Sequence, residues 1–332
     1  MKPMASSSKL RYFPISSLTI VMGLCGLSLV ILELKAVPNT TQLLLHLSDS
    51  ITWLALSLLG LFFLLYALKI IKYPIQATNE FHNPLLSGYF ANFPASLILF
   101  ASCFFAIDNQ LSKYFWIVGS SLQLLLTIII INNWIYNHST EFSKVTPVWL
   151  YPVMGNILVP ITGVVFAPLG FSWMFFSIGV FFWLIIFMFI MIRVLFVSPL
   201  MKSMYPSMFI LLGPPSVGFI AITTLQPEID ILANILYYNS VFIFLLLFLE
   251  LPELLKLPFN VSSWSITFPL AAFSIASFRM YELENVEFIG IFSLILAIML
   301  ILIVIWLTLC TFVSLKNNGL AMDCFNCDKN QD

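Results

Sequence analysis

The stretch VTPVWLYPVMGNILVPITGVVFAPLGFSWMFFSIGVFFWLIIFMFIMI, residues 145–192, carries no charged side chain from end to end. A helix needs roughly 20 apolar residues to cross the hydrocarbon layer of a bilayer. This run is too long for one crossing and long enough for two. It divides at Pro168-Leu169-Gly170, a turn-forming cluster. Working outward, eight further uncharged stretches of single-crossing size occur at Pro14–Leu32, Ser50–Leu68, Asn83–Ile107, Tyr114–Asn137, Ser203–Pro227, Ile231–Leu249, Leu257–Phe278 and Phe288–Leu315. The fold class is therefore all-α and integral to the membrane, with ten transmembrane helices.

Composition agrees. The 332 residues are 61% apolar and 9% charged, where a soluble domain would carry about 25% charged residues. A net charge of −1 offers no basic footprint for nucleic acid. The five cysteines, Cys25, Cys103, Cys310, Cys324 and Cys327, are scattered and suggest no disulfide framework. Lys2, Lys9 and Arg11 precede an apolar run in the manner of a signal peptide, but the run continues uncharged to Leu32 and shows no small-residue cleavage site. It reads as a retained first helix.

Lysine and arginine orient the spans. With the N-terminus in the cytoplasm, Lys2, Lys9, Arg11, Lys69, Lys72, Lys144, Arg193, Lys202, Lys256, Lys316 and Lys329 fall inside, and only Lys35, Lys113 and Arg279 fall outside. That 11-to-3 bias satisfies the positive-inside rule for an even number of spans with both termini cytoplasmic. The expected organisation is a short cytoplasmic N-terminus (1–13), a ten-helix membrane domain (14–315) and a polar cytoplasmic tail (316–332), in the cell's inner membrane.

Proline writes a repeat. Even-numbered spans contain none, whereas odd-numbered spans and their immediate starts hold Pro14, Pro84, Pro94, Pro147, Pro152, Pro160, Pro206, Pro214, Pro215, Pro258 and Pro269. Pro94, Pro152, Pro214 and Pro269 lie 58, 62 and 55 residues apart, about one two-helix hairpin. An interior proline removes a backbone hydrogen bond and kinks its helix, and in lipid the freed carbonyl needs protein or cavity water as a partner. Kinked odd spans alternating with straight even ones suggest an inner layer, around a central passage, and an outer wall. Kinks that merely shape packing are the alternative. Polar residues such as Asn92, Asn156, Thr162, Ser265 and Thr267 favour the odd spans, although Ser120, Ser121 and Gln123 sit on an even one.

Catalytic and metal chemistry find little footing. Glu33, Asp49, Lys113 and Arg193 fall near predicted helix ends, within reach of water, and Asp49 reads as a helix-start carboxylate. His46, His82 and His138 lie far apart, in or near loops, without metal-ligand spacing. Cys324-x-x-Cys327 lacks two further ligands. No phosphate loop, nucleophile elbow or carboxylate pair occurs, so no enzyme, cofactor or metal is expected. A path without a titrating group suits passive conduction better than proton coupling. Broken helices, with free N–H groups at the start of each half, would be one way to attract anions.

Five segments, taken in order, then carry a family resemblance: Phe13-Pro14-Ile15 through Met22-Gly23-Leu24; Glu80-Phe81-His82-Asn83-Pro84; Met154-Gly155-Asn156-Ile157-Leu158-Val159-Pro160; Gly213-Pro214-Pro215-Ser216-Val217-Gly218-Phe219; and Trp264-Ser265-Ile266-Thr267-Phe268-Pro269-Leu270. Together they resemble the slow-type anion channel and tellurite-resistance/dicarboxylate transporter family, in its bacterial type without the long soluble tails of plant members. The resemblance implies five helical hairpins in quasi-fivefold array, odd helices lining a central pore, and homotrimers with one pore per protomer. It implies a phenylalanine plug at Phe268, a gate that excludes water and ions by sterics and dewetting. Pro94, Pro160, Pro214 and Pro269 become pore-helix kinks. Gly23 would let the Phe268 ring approach closely, Thr267 would line the pore beside it, and Asn156 either lines the passage or caps freed carbonyls. The expected activity is passive conduction of small monovalent anions such as chloride or nitrate. Secondary export of tellurite, sulfite or C4-dicarboxylate is the alternative.

Overall fold

A computed structural model describes residues 10–34, 41–136, 141–197, 200–226, 228–254 and 256–316. His138, Cys324, Cys327 and the tail from 317 lie outside the described residues. Ten long helices carry the architecture: α1 (Leu18–Glu33), α2 (Thr41–Lys72), α3 (Asn92–Phe104), α4 (Asn109–Tyr136), α5 (Leu150–Phe166), α6 (Leu169–Ile192), α7 (Gly213–Leu225), α8 (Ile231–Leu249), α9 (Thr267–Glu284) and α10 (Glu287–Lys316). All ten spans are long and apolar enough to cross a membrane, and no strand occurs among the described residues. The break expected in the long uncharged stretch falls at Ala167-Pro168, between α5 and α6.

Burial separates the helices into two classes. In the odd-numbered spans 78% to 89% of the crossing window is buried, against 17% to 39% in the even-numbered ones. Mean hydropathy runs the other way, from 1.2 to 2.3 in the odd spans and 2.0 to 3.3 in the even ones. Facing hydrocarbon, a side chain gains from being apolar all round its helix. The interior instead accepts small polar groups, and many of them find a partner. Ser96, Ser216, Thr223 and Ser277 do so by donating to the carbonyl four residues back in their own helices, at 2.7 to 2.9 Å.

The packing order is regular. α1 packs on α3, α3 on α5, α5 on α7, α7 on α9, and α9 back on α1, so the contacts among the odd helices close on themselves. Each even helix packs on the odd helix before it in the chain and also on the odd helix after it, α10 reaching α1.

Each odd helix is preceded, without a gap, by a 3-10 segment: Ile15–Ser17, Ser87–Ala91, Pro147–Trp149, Lys202–Leu212 and Val261–Ile266. These five segments also contact one another in a closed order.

Four expectations need correction. Asp49 is not at a helix start. α2 begins at Thr41, which also puts His46 inside a helix rather than in a loop. Two polar residues of this helix are partnered across to α1, where Ser28 Oγ lies 2.8 Å from Ser48 Oγ and 2.7 Å from Thr52 Oγ1. Arg193 does not reach water. It stands at 4% exposure at the start of a π-helical turn, Arg193–Val197, and donates to the Val145 carbonyl at 2.9 Å. Lys69, counted from sequence as a loop cation, is fully buried in the last turn of α2. Its ammonium meets Glu80 Oε1 at 2.5 Å and the Phe13 carbonyl at 2.7 Å, while Tyr66 donates to Glu80 Oε2 at 2.8 Å. Glu80 rides on a short helix, Pro74–His82, so this cluster ties α2, that helix and the approach to α1 together.

Candidate functional site

The proline-bearing starts of the odd helices converge in the interior. Pro94 and Pro269 are the third residues of α3 and α9, and Pro214 is the second of α7. All three lie in the first α-helical turn, where the bonding pattern passes from the tighter 3-10 form to the α form. A residue without an N–H is cheap at such a place, since first-turn N–H groups lack the regular α partner. These prolines mark where each inner helix changes pitch. Pro160 alone of the four is interior, standing in the third turn of α5.

Because 3-10 and α portions are continuous, each odd span is one helix. The half-helix ends that could have drawn anions are not present in these spans.

Phe268 is the second residue of α9 and is 5% exposed. Its neighbour across the seam is α1. A Cβ built on Gly26 would lie 3.5 Å from Phe268 Cδ2 and 3.8 Å from its Cα, and 2.7 Å from the Ala271 Cβ. A Cβ on Gly23 would instead lie 2.0 Å from Thr267 Oγ1 and 2.9 Å from Thr267 Cβ. The sequence reading assigned Gly23 to Phe268. The structure assigns Gly23 to Thr267 and gives the Phe268 role to Gly26, one turn on. The missed signal was the small-residue pair at i, i+3, which puts two notches on one helix face.

Thr267 donates its hydroxyl to the Trp264 carbonyl at 2.7 Å, and Trp264 Nε1 reaches Thr311 Oγ1 on α10 at 3.0 Å. The segment bearing Phe268 is thus held from both sides. Pro269 approaches α7, where a Cβ on Gly213 would sit 3.8 Å from Pro269 Cγ and 2.5 Å from Met154 Sδ of α5.

Asn156 is fully buried and turned toward the outer helix α4: its amide nitrogen donates to Thr127 Oγ1 at 2.8 Å and to the Pro152 carbonyl at 2.7 Å. Gln123 Nε2 reaches the same carbonyl at 2.8 Å. Both bonds that the Asn156 amide donates end on protein oxygens, and its Oδ1 has no hydrogen-bond partner.

Acidic and basic side chains on the odd helices are confined to their far ends, with Glu33 closing α1 and Arg279, Glu282 and Glu284 in the last turns of α9. No grouping of His, Cys, Asp or Glu suited to a metal occurs among the described residues.

The sequence profile described as voltage-dependent anion channel matches residues 12–312. The chain belongs to this family. Its relatives include a Haemophilus influenzae tellurite resistance protein homolog, 24% identical over 87% of this chain and 88% of the relative. An uncharacterized transporter of Methanocaldococcus jannaschii is 26% identical over 69% of the chain and 75% of the relative. An S-type anion channel of Arabidopsis thaliana is 23% identical over 87% of the chain but only 56% of the relative. Family membership makes this a multi-pass membrane protein of anion transport, in a family of channels and transporters rather than enzymes.

Proposed function

We propose that the chain is a passive channel for small monovalent anions such as chloride and nitrate. In this reading the ten helices form five hairpins in quasi-fivefold array, the odd helices surround a path along the ring axis, and Phe268 is the stopper in that path. The observation that carries it is the closed contact order of the odd helices, with no ionised side chain along their middle stretches. A conduit needs binding weak enough for release, and a wall of neutral groups meets that condition. An aromatic ring at the narrow level excludes water and ions together, and the pitch change at Pro269 sets where the ring hangs. The 11-to-3 bias of lysine and arginine supports a topology with both termini in the cytoplasm, the odd helices starting from the cytoplasmic face of the cell membrane. Three protomers associate, each with its own path, through the apolar outer surface of the even helices.

The second reading is a carrier exporting oxyanions or organic acids, such as tellurite, sulfite or C4-dicarboxylates; the name of the Haemophilus relative, a tellurite resistance protein homolog, favours it. Purified protein in liposomes separates the two. A channel gives anion current that follows the anion gradient and survives collapse of the proton gradient by a protonophore. Flux that saturates at low concentration and vanishes with the proton gradient would favour the carrier. Selectivity for cations would refute both.

A further inference from the structure

On the outer side of the ring, a cavity of about 590 Å³ opens between α2 and α10, with the first turns of α1 as its floor. Leu54, Leu58, Leu61 and Leu65 of α2 form one wall, and Phe312 and Leu315 of α10 the other. Leu54, Leu61, Phe312 and Leu315 are all exposed, so the groove opens toward lipid. Leu54 and Leu65 stand about 16 Å apart along the helix axis at 1.5 Å per residue. That is the depth of one leaflet in a hydrocarbon layer about 30 Å thick. The two threonines in the α10 wall, Thr308 and Thr311, each donate to the carbonyl four residues back at 2.7 Å. The groove therefore presents hydrocarbon surface along its length.

Its rim is different. Tyr12 and Leu315 line one end. The Arg11 guanidinium lies 5.6 Å from the centre of the Tyr12 ring, and Lys316 follows Leu315 in the last turn of α10. Both cations are exposed, and neither ion-pairs with a carboxylate among the described residues. Lys69, close by through its bond to the Phe13 carbonyl, is already matched by Glu80. An apolar slot of leaflet depth under a cationic rim complements an acyl chain that carries an anionic headgroup. A second copy lying parallel in the membrane would instead bring its own cations to the same face, like charge against like.

We propose that this groove holds an acyl chain of an anionic phospholipid, with its headgroup at Arg11 and Lys316, in the leaflet where α1 begins and α10 ends. The assignment does not depend on the ring axis or on Phe268. The site nevertheless backs onto the segment that carries Phe268. Trp264 lines the groove, and its carbonyl accepts the Thr267 hydroxyl. Ile20 and Leu24 of the floor flank Gly23, whose added Cβ would lie 3.5 Å from Trp264 Cε3.

The test is lipid binding to the full chain in detergent, titrated by native mass spectrometry with dioleoyl phosphatidylglycerol and dioleoyl phosphatidylcholine. These lipids share their chains and differ in headgroup charge. One cation beside an anionic headgroup changes affinity about fivefold, so the two together should favour phosphatidylglycerol by about 25-fold for the first lipid bound. Arg11→Gln combined with Lys316→Gln should bring that ratio close to one. Leu58→Trp, which fills the groove and leaves the rim intact, should weaken the first binding of both lipids. Equal wild-type affinity for the two lipids, or a preference that survives loss of Arg11 and Lys316, would overturn the proposal. So would undiminished lipid binding by Leu58→Trp; a change in its state of association with lipid binding intact would assign the groove to a subunit interface instead.

Discussion

Gly23→Ala isolates the seam between α1 and α9. The added Cβ would lie 2.0 Å from Thr267 Oγ1 and 2.9 Å from Thr267 Cβ, where ordinary contact begins near about 3.4 Å. Rotating Thr267 away breaks its bond to the Trp264 carbonyl, at about 1 kcal/mol. The Cβ contact remains after any rotation, so α9 must also retreat, a strain of about 1–3 kcal/mol. Helix propensity returns roughly 1 kcal/mol for replacing glycine by alanine. The net expectation is a destabilisation of about 1–3 kcal/mol, read as a lowered melting temperature of the detergent-purified protein. Gly60→Ala is the control, because a Cβ there meets nothing within 4 Å; it should melt at or slightly above wild type. Adding Thr267→Ala to Gly23→Ala removes the clash with the hydroxyl but keeps the Cβ–Cβ contact, and should recover only the smaller part of the loss. A Gly23→Ala protein as stable as wild type would refute the close approach of these helices.

Other perturbations probe the remaining features. Glu80→Gln leaves the buried Lys69 ammonium without its counter-charge and should cost about 3 kcal/mol, the low end for a broken buried pair because Glu80 keeps contact with water; replacing Lys69 by Met in the same protein should restore most of the melting temperature. Lys256→Ala removes an exposed pair with Glu253 and should change stability by less than about 0.5 kcal/mol in the same melt. Gly26→Val would force a larger group against Ala271 and Phe268, and should alter anion flux relative to Gly60→Val at equal incorporation.

Much of the fold was legible because the bilayer imposes simple demands. Ten spans followed from uncharged runs of crossing length, and the split at Pro168 followed from turn chemistry. The proline alternation separated the buried helices from the lipid-facing ones before any coordinates, although three of the four prolines turned out to mark a change of pitch rather than an interior kink. Helix limits were less legible. His46, Ser48 and Asp49 hid the first turns of α2, since polar residues read as loop until Ser28 is seen across from them. The Pro74–His82 helix carries too little apolar periodicity to declare itself. Lys69 and Arg193 were counted as water-facing cations because charge alone does not reveal that a carboxylate or carbonyl waits in the interior. At the site, Phe268 was reached through its motif, but its contact with Gly26 joins residues far apart in sequence.

The most direct measurement of the central claim is anion flux through Phe268→Ala in liposomes beside wild type, at matched incorporation and with an intact melt. If Phe268 is the stopper on the ring axis, flux should rise severalfold or more without any change in the preference for anions over cations. Equal flux in the two proteins would contradict it.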